Sequence, residues 1–195
     1  ESPTFAAIIP MQEYNSLQVP EERTVLEGIK HLIIGGGAID DRLANELKHF
    51  PNNVWSTYGM TETLSHIALR RLNGDNASDW YTPFDQVHIR LSEEGTLVIH
   101  APEVCAEELT TNDIAEINEK GEFRILGRKD NVINSGGIKI QIEQVEALLK
   151  PHLSTPFLIT STSDAKFGEV VTRKNYKLYA KPPFLLIGCP NVSCK

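Results

Sequence analysis

The chain has 195 residues, 41% of them hydrophobic, enough to bury a core and fill one domain plus part of another. Its net charge of -7 argues against a nucleic-acid or anionic membrane surface as the main partner, because those surfaces select basic faces. No apolar run approaches the roughly 20 residues needed to cross a bilayer, and ESPTFAAIIP has no basic flank of the signal-peptide kind. Cys105, Cys189 and Cys194 have neither metal-ligand spacing nor an even count, which suits a reducing compartment and the cytoplasm. The first residue is not Met, so the chain reads as partial.

Phe5 to Ile9 is an apolar run closed by Pro10 and predicts a buried strand, followed by a helical turn over Gln12 to Gln18 that Pro20 stops. His31 to Ile34 predicts a second strand. It runs into Gly35, Gly36 and Gly37, and then into a helix capped by Asp40 with Leu43, Ala44, Leu47 and Phe50 on one face. Glycines in such a turn let a flat ring or a phosphate approach the backbone, although a tight strand-to-helix connection alone also asks for them.

NVWSTYGMTETLSH, Asn53 to His66, predicts a strand entering a working loop. Val54, Trp55 and Tyr58 favour extended backbone, and Gly59 permits a conformation that other residues avoid. Thr61 and Glu62 would then project from the strand end, where open α/β sheets place ligands. A carboxylate beside a threonine suits Mg²⁺ and a bound phosphate, because this ion takes one or two carboxylate oxygens plus phosphate oxygens. Arg70, Arg71, Asn73, Gly74 and Asp75 read as a strand end and a solvated polar turn.

From Phe84 to Ile125 the runs QVHIRLS, GTLVIHAP, TNDIAEI and GEFRILG alternate with period two between short turns, which predicts a small antiparallel barrel or distorted sheet. Within TNDIAEI, Asp113 either caps a turn or accepts bonds from vicinal hydroxyls. Arg128 brings a fixed positive fork suited to ribose or phosphate oxygens. Ile142, Val145, Leu148 and Leu149 predict a helix over Gln141 to Lys150 ended by Pro151, and Phe157 to Thr160 predicts a strand. Residues 172–195 contain no acid but carry Arg173, Lys174, Lys177, Lys181 and Lys195, an abrupt change of texture.

GGGAI (Gly35–Ile39), YGMTE (Tyr58–Glu62), TNDIAEI (Thr111–Ile117) and GRKDNVINSGGIKI (Gly127–Ile140), in this order and spacing, resemble the adenylate-forming acyl-CoA ligases. YGMTETLSH is similar to the branch of that superfamily that activates 2-succinylbenzoate in menaquinone synthesis. The resemblance runs from about Thr4 to Val171. It implies an α/β plus β architecture: the rear of a large adenylate-forming domain over 1–129, with a small β-barrel-like subdomain at about 84–127. The start of a mobile α+β C-terminal domain would follow over 130–195.

The resemblance further implies ATP, Mg²⁺ and coenzyme A as ligands and 2-succinylbenzoate as the acid, with no nucleic acid and no membrane span. Glu62 would hold Mg²⁺ and Thr61 would bond phosphate. Gly36, Gly37 and Ala38 would lie on one face of adenine and Tyr58, followed by Gly59, on the other. Asp113 and Arg128 would fix the ribose, with Arg128 and Thr61 joining Glu62 as the catalytic set, and Lys139 would reach a nucleotide phosphate. Ser65 and His66 would line the acyl pocket, Gly136 and Gly137 would pass the pantetheine arm, and Asp130 would be the hinge. Asn134 stands where some relatives have lysine. The family's upstream phosphate loop and its terminal lysine find no match in these residues, so the chain as given is expected to lack ligase activity. Another acyl, aryl or amino-acid adenylating enzyme, or a non-catalytic adenylate-binding module, stays open on the sequence.

Overall fold

The computed structural model describes residues 3–175; the basic stretch with Lys177, Lys181 and Lys195, and Cys189 and Cys194, lies outside them. The chain divides after Asp130 into two compact units. Among the described residues the first holds a mixed and an antiparallel sheet, the second one antiparallel sheet, and helices are few in both.

The first unit opens with β1 (Phe5–Ile8), α1 (Pro10–Ser16), α2 (Pro20–Gly28), β2 (His31–Ile34), α3 (Asp41–Leu47), β3 (Asn53–Gly59), β4 (His66–Arg71) and β5 (Thr82–Pro83). Its five strands lie in the order β1-β2-β3-β4-β5, the first three parallel and the last two joined antiparallel. Register puts Ala6, Leu32 and Val54 in one row and Ile8 and Ile34 in the next, so alternation sends these side chains to the same face. There they join Leu26, Leu43, Leu47 and Phe50 in one core cluster.

Three expectations for this region need correction. β1 is an edge strand rather than a buried one, and Phe5 is 57% exposed. Pro20 does not merely stop a helix; it opens α2, where its fixed φ suits the first helical position and Glu21 and Glu22 complement the positive end of the helix. Asn73 is no solvated turn residue. Buried to 2% exposure, it accepts from Val54 N and Arg71 Nε and donates to the carbonyls of Phe50 and Asn52, tying β3 to the end of β4. The Asp40 cap is present, accepting from Leu43 N at 2.9 Å.

On α1, Glu13 is wholly buried, and neither carboxyl oxygen has a hydrogen-bond partner among the described residues. Desolvation pushes its pKa up to about 7, so it is carried largely neutral below that pH.

The predicted antiparallel region forms β6 (His88–Leu91), β7 (Thr96–His100), β8 (Leu109–Ile117) and β9 (Phe123–Arg128), a meander in chain order. The sheet stays open, with no closed barrel among the described residues. Leu97, Ile99, Ala115 and Phe123 pack with Ile67 and Ala68 of β4 in a second core cluster.

The second unit comprises β10 (Val132–Ser135), β11 (Ile138–Gln141), α4 (Ile142–Leu149), β12 (Phe157–Asp164) and β13 (Gly168–Asn175), with antiparallel sheet order β11-β10-β13-β12. β12 is longer than expected. Its ladder with β13 runs without a register shift from Asp164↔Gly168 to Phe157↔Asn175, past Val171, where the motif resemblance stops. None of the α4 side chains is fully buried, and Leu148 is 73% exposed.

Candidate functional site

β2 and β3 run parallel, with Ile34 beside Ser56, so the glycine turn after β2 lies next to the end of β3. The approach is close: a Cβ on Gly35 would collide with Thr57 Oγ1, and Gly36 has φ of +77°. Gly36, Gly37 and Ala38 are exposed, forming a side-chain-poor shelf at the carboxyl end of the parallel strands. Ligands bind at such an end in open α/β sheets.

Gly59 serves differently from what the sequence implied. Its φ is not among the positive ones; instead a Cβ there would run into the Ser65 carbonyl oxygen and lie 2.6 Å from His66 Cα. Close approach rather than unusual backbone therefore requires this glycine. The turn that follows, Thr61–Thr63, exposes Thr61 and Glu62 while burying Thr63. Thr63 Oγ1 bonds Met60 N at 3.0 Å and the Ser65 carbonyl at 2.7 Å, pinning the turn from inside. Leu64 closes it with φ of 60°, a costly conformation for a residue with a Cβ.

Tyr58, Asp113 and Arg128, distant in sequence, meet in space. The Tyr58 hydroxyl donates to Asp113 Oδ2 at 2.6 Å, and Arg128 Nη1 approaches Asp113 Oδ1 at 3.4 Å. Arg128 also grips Asp130 through Nε and Nη2, both at 2.9 Å. Burial, and then the bond to the Asp113 carboxylate, push the Tyr58 phenol well above its ordinary pKa, so it stays a donor. The Asp130 carboxylate holds the Arg128 guanidinium above its ordinary value, and Arg128 in turn depresses Asp130.

The Tyr58 ring stands edge-on to Phe123 with centroids 5.0 Å apart, and Tyr81 stacks on Phe123 at 5.4 Å. Phe123 and Tyr81 thus fix the site from beneath, a role not assigned to them from the sequence. The aromatic in GEFRILG at a core-facing position was the available signal.

Ser65 Oγ and His66 Nδ1 are 3.0 Å apart, and the His66 ring meets Phe84 edge-on at 5.5 Å. Gly136, Gly137 and Lys139 belong to the second unit. The two glycines, with φ of +58° and +87°, form the tight turn between β10 and β11, and a Cβ on Gly136 would sit 2.9 Å from Phe167 Cδ1. Lys139 stands opposite Asn134 across that hairpin, both exposed. Among the described residues no group of three or more His, Cys, Asp or Glu side chains is arranged to hold a metal ion. A single exposed carboxylate such as Glu62 fits an ion that draws its remaining oxygens from a bound phosphate and water.

No protein-family model matches the chain. It is 28% identical over 176 residues to a 2-succinylbenzoate–CoA ligase from Geobacillus, covering 76% of this chain and 36% of that protein. An acyl-CoA synthetase (AMP-forming)/AMP-acid ligase II-like protein from Dyadobacter fermentans superposes with a TM-score of 0.63 at 30% identity, covering 94% of this chain and 53% of the other. O-succinylbenzoate coenzyme A synthetase (MenE) from Bacillus subtilis, in complex with ATP and magnesium ion, gives 0.66 at 21% identity over 88% of this chain and 41% of that one. The chain therefore matches, over part of their length, proteins of the adenylate-forming acyl-CoA ligase superfamily, and 2-succinylbenzoate–CoA ligases are among those it is similar to.

Proposed function

We propose that the chain is part of an AMP-forming acid–thiol ligase that joins 2-succinylbenzoate to coenzyme A, in the cytoplasm, on the route to menaquinone. The observation that carries this reading is the Tyr58–Asp113–Arg128 cluster, whose Tyr58 follows Thr57, the residue that the glycine turn abuts through Gly35. A carboxylate fixed by a half-buried phenol and flanked by a guanidinium is equipped to take the two hydroxyls of a ribose while phosphates meet the cation.

In this reading Gly36, Gly37 and Ala38 border the adenine, and Gly59 lets the following turn approach. Thr61 bonds a phosphate oxygen and Glu62 holds Mg²⁺, which supplies charge neutralisation at the reacting phosphate. Ser65 and His66 face the free carboxylate of the acid. Residues 1–129 belong to the adenylate-forming domain and those from 130 to the small domain, with Asp130 as hinge. Lys139 contacts phosphate, and Gly136 and Gly137 border the pantetheine arm. The carboxylate attack on the α-phosphate joins two anions, so placement and positive charge are what the protein contributes.

Titration calorimetry of the chain with AMP tests the nucleotide site. Asp113→Asn should lower affinity about 10- to 100-fold, as expected for losing charge-assisted bonds, and should reduce the preference for AMP over its 2′,3′-dideoxy analogue. Equal binding by wild type and variant would overturn the reading. In the complete protein, Glu62→Gln should slow pyrophosphate exchange by about 10²- to 10³-fold while leaving thioester formation from supplied acyl-adenylate much less affected.

A further inference from the structure

His88 on β6 and His100 on β7 are direct cross-strand partners. Their rings are nearly parallel, 18° between planes, with centroids 6.2 Å apart. Two cis imidazoles bound to one ion through bonds of about 2.0–2.1 Å have centroids about 4.5–5.2 Å apart, so side-chain rotations that close the gap by about 1 Å or more would bring this pair to chelating distance.

The backbone beneath the pair is already fixed. Leu97, Val98 and Ile99, which lead into His100, are each 2% exposed or less, so little ordering would be required on binding. His88 is exposed and His100 half-buried, leaving solvent access on one side. The charged neighbours are Arg90 and Glu108. Ile99 pairs with Leu109, which brings Glu108 next to His100, and Glu108 is joined to Arg90 by bonds of 2.7 and 3.3 Å. That pair cancels the nearest fixed positive charge, which would otherwise oppose a cation.

We propose that His88 and His100 form a two-imidazole site for a late first-row divalent cation, Cu²⁺, Ni²⁺ or Zn²⁺, with water in the remaining positions. This site is separate from the nucleotide cluster and does not depend on the function assigned to it. Nitrogen ligands select these ions over Mg²⁺ and Ca²⁺, and affinity should rank Cu²⁺ above Ni²⁺.

The test is titration of the untagged 195-residue chain with Cu²⁺ and Ni²⁺ at pH 7.5, read by calorimetry and, for Cu²⁺, by the visible band of nitrogen-bound copper. One equivalent should bind more tightly than the rest. Binding through a second tethered ligand is worth about 10²- to 10⁴-fold, so His88→Ala or His100→Ala should each weaken that equivalent by at least about 10²-fold. His88→Gln, which keeps the side-chain bulk, should do the same with an unchanged circular-dichroism spectrum. Replacing His49 and His152 together should leave the site intact. Undiminished binding in the His88→Ala/His100→Ala double variant, or equal loss in the His49/His152 control, would overturn the proposal.

Discussion

The two units are built from similar lengths of strand but are anchored differently. The first has two clusters of buried apolar residues, and the Tyr58–Asp113–Arg128 group rests directly on the second of them. In the second unit only Ile133 and Ile159 are buried among the described apolar residues, and α4 buries none of its own. Groups that must be held to a fraction of an ångström gain from a packed floor. The glycines of the second unit sit instead in a hairpin turn, where backbone geometry sets position, and its Lys139 lies exposed on the strand that leaves that turn.

The largest expected effect tests that floor. Phe123 is fully buried and touches both Tyr58 and Tyr81, so Phe123→Ala should destabilise the first unit by about 3–5 kcal/mol in chemical denaturation. AMP affinity of the folded fraction should fall as well. A loss below about 1 kcal/mol would mean that the site does not lean on this core.

Next comes the tie between floor and site. Tyr58→Phe keeps the ring but removes the 2.6 Å bond to Asp113, a loss of about 1.5–3 kcal/mol for a hydrogen bond to a charged group. Stability should drop accordingly, and AMP affinity should fall by less than in Asp113→Asn. Identical affinity losses in the two variants would give the phenol a direct ligand role instead.

The first unit also carries a liability with no counterpart among the described residues of the second. Glu13 has its pKa raised from 4.5 to about 7 by burial, so the folded state binds a proton more readily than the unfolded chain. Its stabilising effect is fully present below about pH 4.5 and is lost as pH rises through about 7. Glu13→Gln should remove this slope and, at pH 8, gain stability on the order of 2 kcal/mol. Parallel wild-type and variant profiles of stability between pH 5 and 8 would refute this account of Glu13.

These contrasts also explain what could be read from the sequence. The β6–β9 meander was legible because each strand has one face in the core, which imposes period-two alternation. The Asp40 cap and the strand into Gly59 were legible for similarly local reasons. Asn73 was not, because its partners lie 19 to 23 residues upstream, and polar residues next to glycine look like a turn until those partners are in place. Nor was Glu13, whose burial depends on what packs over α1. The Tyr58–Asp113 bond spans 55 residues, and only the family resemblance grouped those two positions.

The smallest effect belongs to the second unit and is the most direct check on the contrast. Leu148 belongs to the apolar repeat that predicts α4, yet it is 73% exposed, and its neighbours on that helix are no more than half-buried. Surface substitutions away from caps and buried groups usually change stability by less than about 0.5 kcal/mol, and alanine has the higher helix propensity. Leu148→Ala should therefore leave the unfolding of the second unit within that range, whereas Ile159→Ala, at a site 2% exposed, should cost about 2–5 kcal/mol. Unfolding should be followed by a probe in each unit, because two compact units need not melt together. If Leu148→Ala costs as much as Ile159→Ala, α4 is covered by something beyond its own unit, and the difference in anchoring drawn between the two units fails.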